Sequence, residues 1–95
     1  MGIKATEGSL SGVGAGEAGS FNRDFNVSVW GTFTGTIRPE RSFDGITWHP
    51  YTYIDGSALS WTAPFSTTVP EPENGVQWRL YATAMSGTAN YRISQ

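Results

Sequence analysis

The rhythm of apolar and polar positions along this chain changes near residue 24. Between residues 1 and 20, six positions are glycine, and the only large aliphatic residues are Ile3, Leu10 and Val13. Small polar residues fill most of the rest. A stretch with so little to bury does not offset its own ordering entropy, so residues 1–24 read as a flexible N-terminal arm. Two outcomes fit that pattern. The arm is either a disordered tail or an extended segment that orders on a neighbouring subunit, adding backbone hydrogen bonds to an open sheet edge while Ile3, Leu10 and Val13 fill shallow pockets. Fully extended, at roughly 3.3 Å per residue, it spans on the order of 60 Å.

From Phe25 onward the period is two rather than 3.6. Phe25, Val27 and Val29 alternate with Asn26 and Ser28, as in a half-buried strand, and Trp30-Gly31 interrupts them like a bulge. Phe33 and Ile37 flank Thr34-Gly35, which reads as a hairpin turn. Asp44-Gly45 and Asp55-Gly56, each between β-forming residues, are strong turn signals. Phe65 and Val69 predict a short edge strand, ended by the proline-rich loop 70–75. Val76, Trp78, Leu80, Ala82 and Ala84 alternate along the clearest strand of all. Ser86-Gly87 turns it into a last strand with Ala89, Tyr91 and Ile93 in phase. No helical period appears anywhere. The pattern therefore predicts an all-β chain: a small antiparallel β-sandwich or barrel over residues 25–95, with about six to eight strands and the arm extended in front of it. Trp48, Trp61 and Trp78 lie on the apolar phase and are expected in the core. Trp30 is out of phase with Val27 and Val29, either redirected inward by the bulge or left outside as an interface anchor.

Composition narrows the function classes. The chain has no cysteine and a single histidine, His49, which excludes a disulfide framework and an imidazole-rich zinc site. Six Lys and Arg against eight Asp and Glu give a net charge of −2 with no basic cluster, which argues against nucleic-acid binding by phosphate neutralisation. No apolar window approaches the length of a membrane span, and no signal peptide is read after Lys4. A β-domain this small needs support that neither cysteine nor metal supplies, leaving oligomerisation or docking onto a larger body.

Candidate chemistry is sparse, and no catalytic constellation or cofactor site is read. Asp44 and Asp55 precede turn glycines, where an Asp side chain ordinarily bonds its own backbone. Glu71 and Glu73 read as solvated loop acids, or at most as weak ligands for a hard cation. His49, Tyr51 and Tyr53 form a stripe on the outer face of a hairpin: plain solvent-facing strand, a contact patch between protomers, or a platform for a sugar ring. Residues 42–48 (SFDGITW) resemble the Asp-box hairpin of sialidase-type propellers, Ser-x-Asp-x-Gly-x-Thr-Trp, in a single copy with one residue missing between Asp and Gly. That box is a structural turn, so the likeness supports a tight turn with Trp48 packed beneath it and no hydrolytic activity.

A wider likeness rests on residues 25–37 (FNVSVWGTFTGTI), 40–45 (ERSFDG) with Thr47-Trp48, 71–80 (EPENGVQWRL) and 86–95 (SGTANYRISQ). In this order they are similar to small virion proteins encoded by tailed bacteriophages, and they resemble the group that acts as head decoration or cement proteins. The resemblance implies a non-enzymatic protein on the outer surface of the capsid, binding the major capsid protein as an oligomer, with a homotrimer at threefold or quasi-threefold lattice positions. Many copies around a closed lattice would add avidity. The residues expected to carry the contacts are Ile3, Leu10 and Val13 in the arm, Trp30 at the bulge, and Tyr51 and Tyr53 on the hairpin. Arg38, Arg41 and Arg79 are further candidates, as partners for acidic groups across an interface. On this reading, deleting residues 1–20 removes binding and leaves the domain folded. Two rivals stand beside it. One is a carbohydrate-binding module stacking sugars on Tyr51, Tyr53 and Trp30, against which the sequence shows no dense set of exposed Asn, Asp and Gln near those aromatics. The other is a tail or head-tail joining protein.

Overall fold

Two antiparallel sheets pack face to face in the computed structural model, which describes residues 5–52 and 55–95. The strands are β1 (Ala5–Leu10), β2 (Gly14–Ala15), β3 (Gly19–Phe21), β4 (Phe25–Trp30), β5 (Phe33–Ser42), β6 (His49–Pro50), β7 (Phe65–Val69), β8 (Val76–Gly87) and β9 (Ala89–Ser94). The first sheet runs β1-β9-β4-β7; the second runs β2-β8-β5-β6, with β3 also paired to β8. No helix occurs among the described residues. The alternation read from the sequence is what makes this possible: on β4 and β9 every second residue is buried, and the two sets meet between the sheets.

Residues 5–21 differ from the sequence expectation. Where an arm is predicted, the chain pairs with its own sheets: β1 lies antiparallel to β9 with Ala5 opposite Ser94 and Leu10 opposite Ala89, and β2 and β3 both pair with β8. Leu10 and Phe21 are buried in the common core. The glycines that make the segment look loose have a packing reason. Tyr91 is buried, and its hydroxyl accepts a hydrogen bond of 2.6 Å from the Glu17 amide. A Cβ on Gly8 would lie 2.6 Å from that hydroxyl, and one on Gly16 would lie 2.7 Å from it. The tyrosine ring thus fills a slot that only residues without a side chain leave open. A further bond of 2.8 Å, from the Gly16 amide to the Leu80 carbonyl, ties the same stretch to the second sheet.

An aromatic column crosses the sandwich. Phe21 stacks on Phe25 at 4.8 Å between ring centroids, Phe25 meets Trp78 at 4.8 Å, and Tyr51 meets Trp78 at 5.5 Å. Aliphatic residues of both sheets, among them Val27, Ile37, Leu80 and Ile93, fill the space around it. Of the three tryptophans expected in the core, Trp78 is buried and Trp61 packs partly against it, stacked on Phe65 at 3.8 Å. Trp48 is a correction: it lies 4.3 Å from the Arg79 guanidinium as a half-buried cover over that side chain. Cation–π attraction replaces burial as the reason for its position.

Two other expectations change in the sheets. Thr34-Gly35 is no turn; β5 runs straight through it, with Gly35 opposite Met85 and close against the Ala84 carbonyl. Further along, Thr36 pairs with Ala84 and Ile37 with Ala82, so Thr83 is the extra residue of a bulge. That one residue inverts the phase of β8, which turns Ala84 out and Met85 in against the core. The Trp30-Gly31 step is likewise not a bulge. β4 ends there, and Gly31-Thr32 carries the chain across to the other sheet, braced by a bond of 3.1 Å from the Thr88 amide to the Thr32 carbonyl.

Candidate interaction surfaces

Two carboxylates, Glu40 and Glu71, are buried, and three arginines are turned onto them. Glu71 lies in the loop from β7 to β8 and is buried, although its proline-rich surroundings read as solvated. Its carboxylate takes two bonds from Arg41 Nη2, at 2.7 and 2.8 Å, and one from Nε at 3.2 Å. It also accepts the Trp78 indole Nε1–H at 2.9 Å and the Glu73 amide at 3.0 Å. Each buried oxygen therefore has its donors, which is what makes a carboxylate tolerable at this depth. Glu40 forms a second centre on the outer side of the second sheet. Arg38 bonds one of its oxygens, through Nε at 2.9 Å and Nη2 at 2.7 Å. Arg79 bonds the other, through Nε at 2.9 Å and Nη2 at 2.8 Å. The Arg79 guanidinium lies 4.3 Å from the Trp48 ring and 5.6 Å from the Tyr81 ring, and Arg38 lies 5.2 Å from Tyr81. The three arginines expected to reach across an interface are thus engaged by their own chain. No group of three or more His, Cys, Asp and Glu could hold a metal ion among the described residues.

The positions expected to carry binding scatter. Ile3 and Tyr53 lie outside the described residues. Leu10 is core, so it offers nothing to a partner; Val13, in the next turn, is 66% exposed. Tyr51 turns inward onto Trp78, while His49 stays exposed beside Phe43 at 5.5 Å, so no continuous His–Tyr stripe exists on the described part of that hairpin. Trp30 keeps the outward phase of β4 and is 48% exposed, so the redirection inward does not occur.

Sequence reasoning missed the apolar tip of the 42–47 turn. Phe43 is 60% exposed and Ile46 82% exposed. The turn beneath them is tightly held: Asp44 Oδ1 accepts the amides of Ile46 at 2.8 Å and Thr47 at 2.9 Å, and the Ser42 hydroxyl donates to it at 3.0 Å. Ser42 Oγ in turn accepts the Gly45 amide at 2.8 Å. Asp44 and Asp55 both serve their turns, Asp55 by accepting from the Ser57 amide and hydroxyl. A short polar run with a turn signal hides its two apolar residues, because exposure depends on which side of the turn they leave.

The Thr47 and Ile46 amides, then the Ser42 hydroxyl, hold the Asp44 carboxyl below its ordinary value of 3.8. A carboxyl depressed on folding contributes its support above that ordinary value and loses it as the pH falls through the lower, folded one. Acid titration followed by amide NMR should show the Ile46 and Thr47 signals moving together, at a pH below the ordinary Asp range. Movement at or above that range would contradict the bonding described.

Two depressions flank β7. One, of about 240 Å³, opens between the sheets and is lined by Tyr51, Leu59, Trp61, Thr67 and Val69 among others. The other, of about 350 Å³, is shallow and polar and lies on the outer side of the first sheet. Comparison of the chain with family models, curated proteins and solved structures finds no match.

Proposed function

We propose that this chain is a non-enzymatic subunit that decorates the head of a tailed bacteriophage, gripping the major capsid protein as an oligomer, a homotrimer by the resemblance, from the outer surface of the capsid. The observation that carries the reading is the exposed apolar pair Phe43 and Ile46, presented on a turn that five hydrogen bonds around Ser42 and Asp44 make rigid. A pre-ordered apolar projection loses little entropy on docking, which suits a subunit whose work is to bury surface across capsomer joints. The sequence likeness to head decoration proteins points the same way, and with Arg38, Arg41 and Arg79 paired within the chain the contact falls to apolar surface instead of charge. With residues 5–21 held by their own sheets, the grip passes from the arm to this tip.

Co-sedimentation with DNA-free heads of the phage that encodes the chain tests the proposal, with cryo-EM to place the bound density. The full chain should occupy regular lattice positions. A Phe43→Ser, Ile46→Ser double variant should bind at least roughly tenfold more weakly, a loss of about 1.4 kcal/mol, with an unchanged melting temperature. Heads left bare by the unaltered chain would refute the proposal, and equal binding by the double variant would remove the tip from it.

A further inference from the structure

We propose that the outer face of the β1-β9-β4-β7 sheet is a saccharide-binding surface, with Trp30 as the platform for a sugar ring and Asn26, Ser28, Ser66, Asn90 and Arg92 as the groups that read its hydroxyls. The strand register places these residues. Trp30 lies opposite Asn90, Ser28 opposite both Arg92 and Ser66, and Asn26 opposite both Ser94 and Thr68. Because neighbouring outward positions alternate along each strand, the six named side chains form one continuous patch.

The patch has the chemistry that a sugar requires. Hydroxyl and amide side chains both donate and accept, as the hydroxyls of a saccharide do. Two pairs are pre-aligned, since Thr68 Oγ1 donates to Asn26 Oδ1 at 3.1 Å and the Ser28 and Ser66 hydroxyls bond each other. Arg92 forms no ion pair among the described residues, although Glu7 is its cross-strand neighbour, so its guanidinium is available to an oxygen-rich ligand. The shallow depression over Asn26, Ser28, Ser66, Thr68 and Arg92, about 350 Å³, matches the low end of small-ligand sites.

Trp30 supplies the remaining element. It is the one aromatic residue on the outward phase of this sheet, half exposed, and its side chain makes no ring contact or hydrogen bond among the described residues. Folding does not account for a tryptophan there, whereas the C–H face of a pyranose covers such a ring well. A protein partner is less suited to the face, because protein interfaces centre on a buried apolar cluster and this patch holds a single apolar side chain among polar ones. Asn26 and Ser28 share β4 with Trp30, and Ser66, Asn90 and Arg92 come from β7 and β9, distant in the chain and adjacent in the sheet.

A glycan array probed with the full chain, followed by titration of the strongest glycan, tests the proposal. At least one glycan should be retained selectively. Trp30→Ala should weaken it roughly tenfold or more, Trp30→Phe should keep part of the affinity, and Asn90→Ala should weaken it further without altering the melting temperature. Ile46→Ser should leave glycan binding unchanged, which keeps this surface separate from the capsid-gripping tip. No retention above background would overturn the proposal, as would an undiminished affinity in the Trp30→Ala variant.

Discussion

A chain shortened to residues 22–95 should fail to fold. The missing segment contains β1, β2 and β3, which pair with β9 and β8, and it contributes Leu10 and Phe21 to the core. Truncating a buried leucine or phenylalanine costs about 2–5 kcal/mol. Losing two such side chains therefore approaches the whole stability of a typical domain, about 5–15 kcal/mol. The loss goes beyond side chains. Tyr91 would face an empty slot where Gly8 and Gly16 pass, and β9 would become an uncovered edge along its full length. The shortened chain should give a collapsed amide spectrum by NMR and no cooperative thermal transition. A dispersed, native-like spectrum would show that the first three strands are accessory and would restore the arm reading of the sequence.

The Glu71→Ala variant should lose about 3 kcal/mol or more, since removing one partner of a buried ion pair strands the other. Arg41 keeps some access to water at 26% side-chain exposure, which tempers the cost at that end. The Trp78 indole N–H, in the core, has no such relief and would be left without its 2.9 Å acceptor. For a domain of this size that loss lowers the melting temperature by about 12 °C or more. Glu73→Ala is the matched control: Glu73 is exposed and only its backbone amide meets Glu71, so its effect should stay within about 0.5 kcal/mol. Thermal melts of the two variants side by side decide the matter. Similar melts would mean that Glu71 is as solvated as its loop composition suggests.

Much of the sandwich is legible in the sequence because its strands follow a local rule. Period-two alternation finds β4, β7, β8 and β9, and Asp44-Gly45 and Asp55-Gly56 mark real turns. What escapes is whatever depends on a partner far along the chain. Glycine signals looseness and close approach equally well, and only Tyr91, at the other end of the chain, decides which applies to Gly8 and Gly16. Glu71 looks solvated because its loop is polar; its burial is set by Arg41 and Trp78 on other strands. Thr83 carries no local mark of a bulge, yet it exchanges the outward and inward roles of Ala84 and Met85. The candidate surfaces follow the same division. Trp30 stands out by phase alone, as a tryptophan where polar residues belong. Phe43 and Ile46 do not, since a turn gives no periodicity against which to judge them, and Arg38, Arg41 and Arg79 look free only until Glu40 and Glu71 are brought beside them.

The pairing of Ala5 with Ser94 has a practical corollary. A fusion joined ahead of the first strand and one joined behind the last would leave the body from a single corner. A linker of a few residues would close the backbone into a ring, letting new ends be opened at a surface turn without redrawing either sheet.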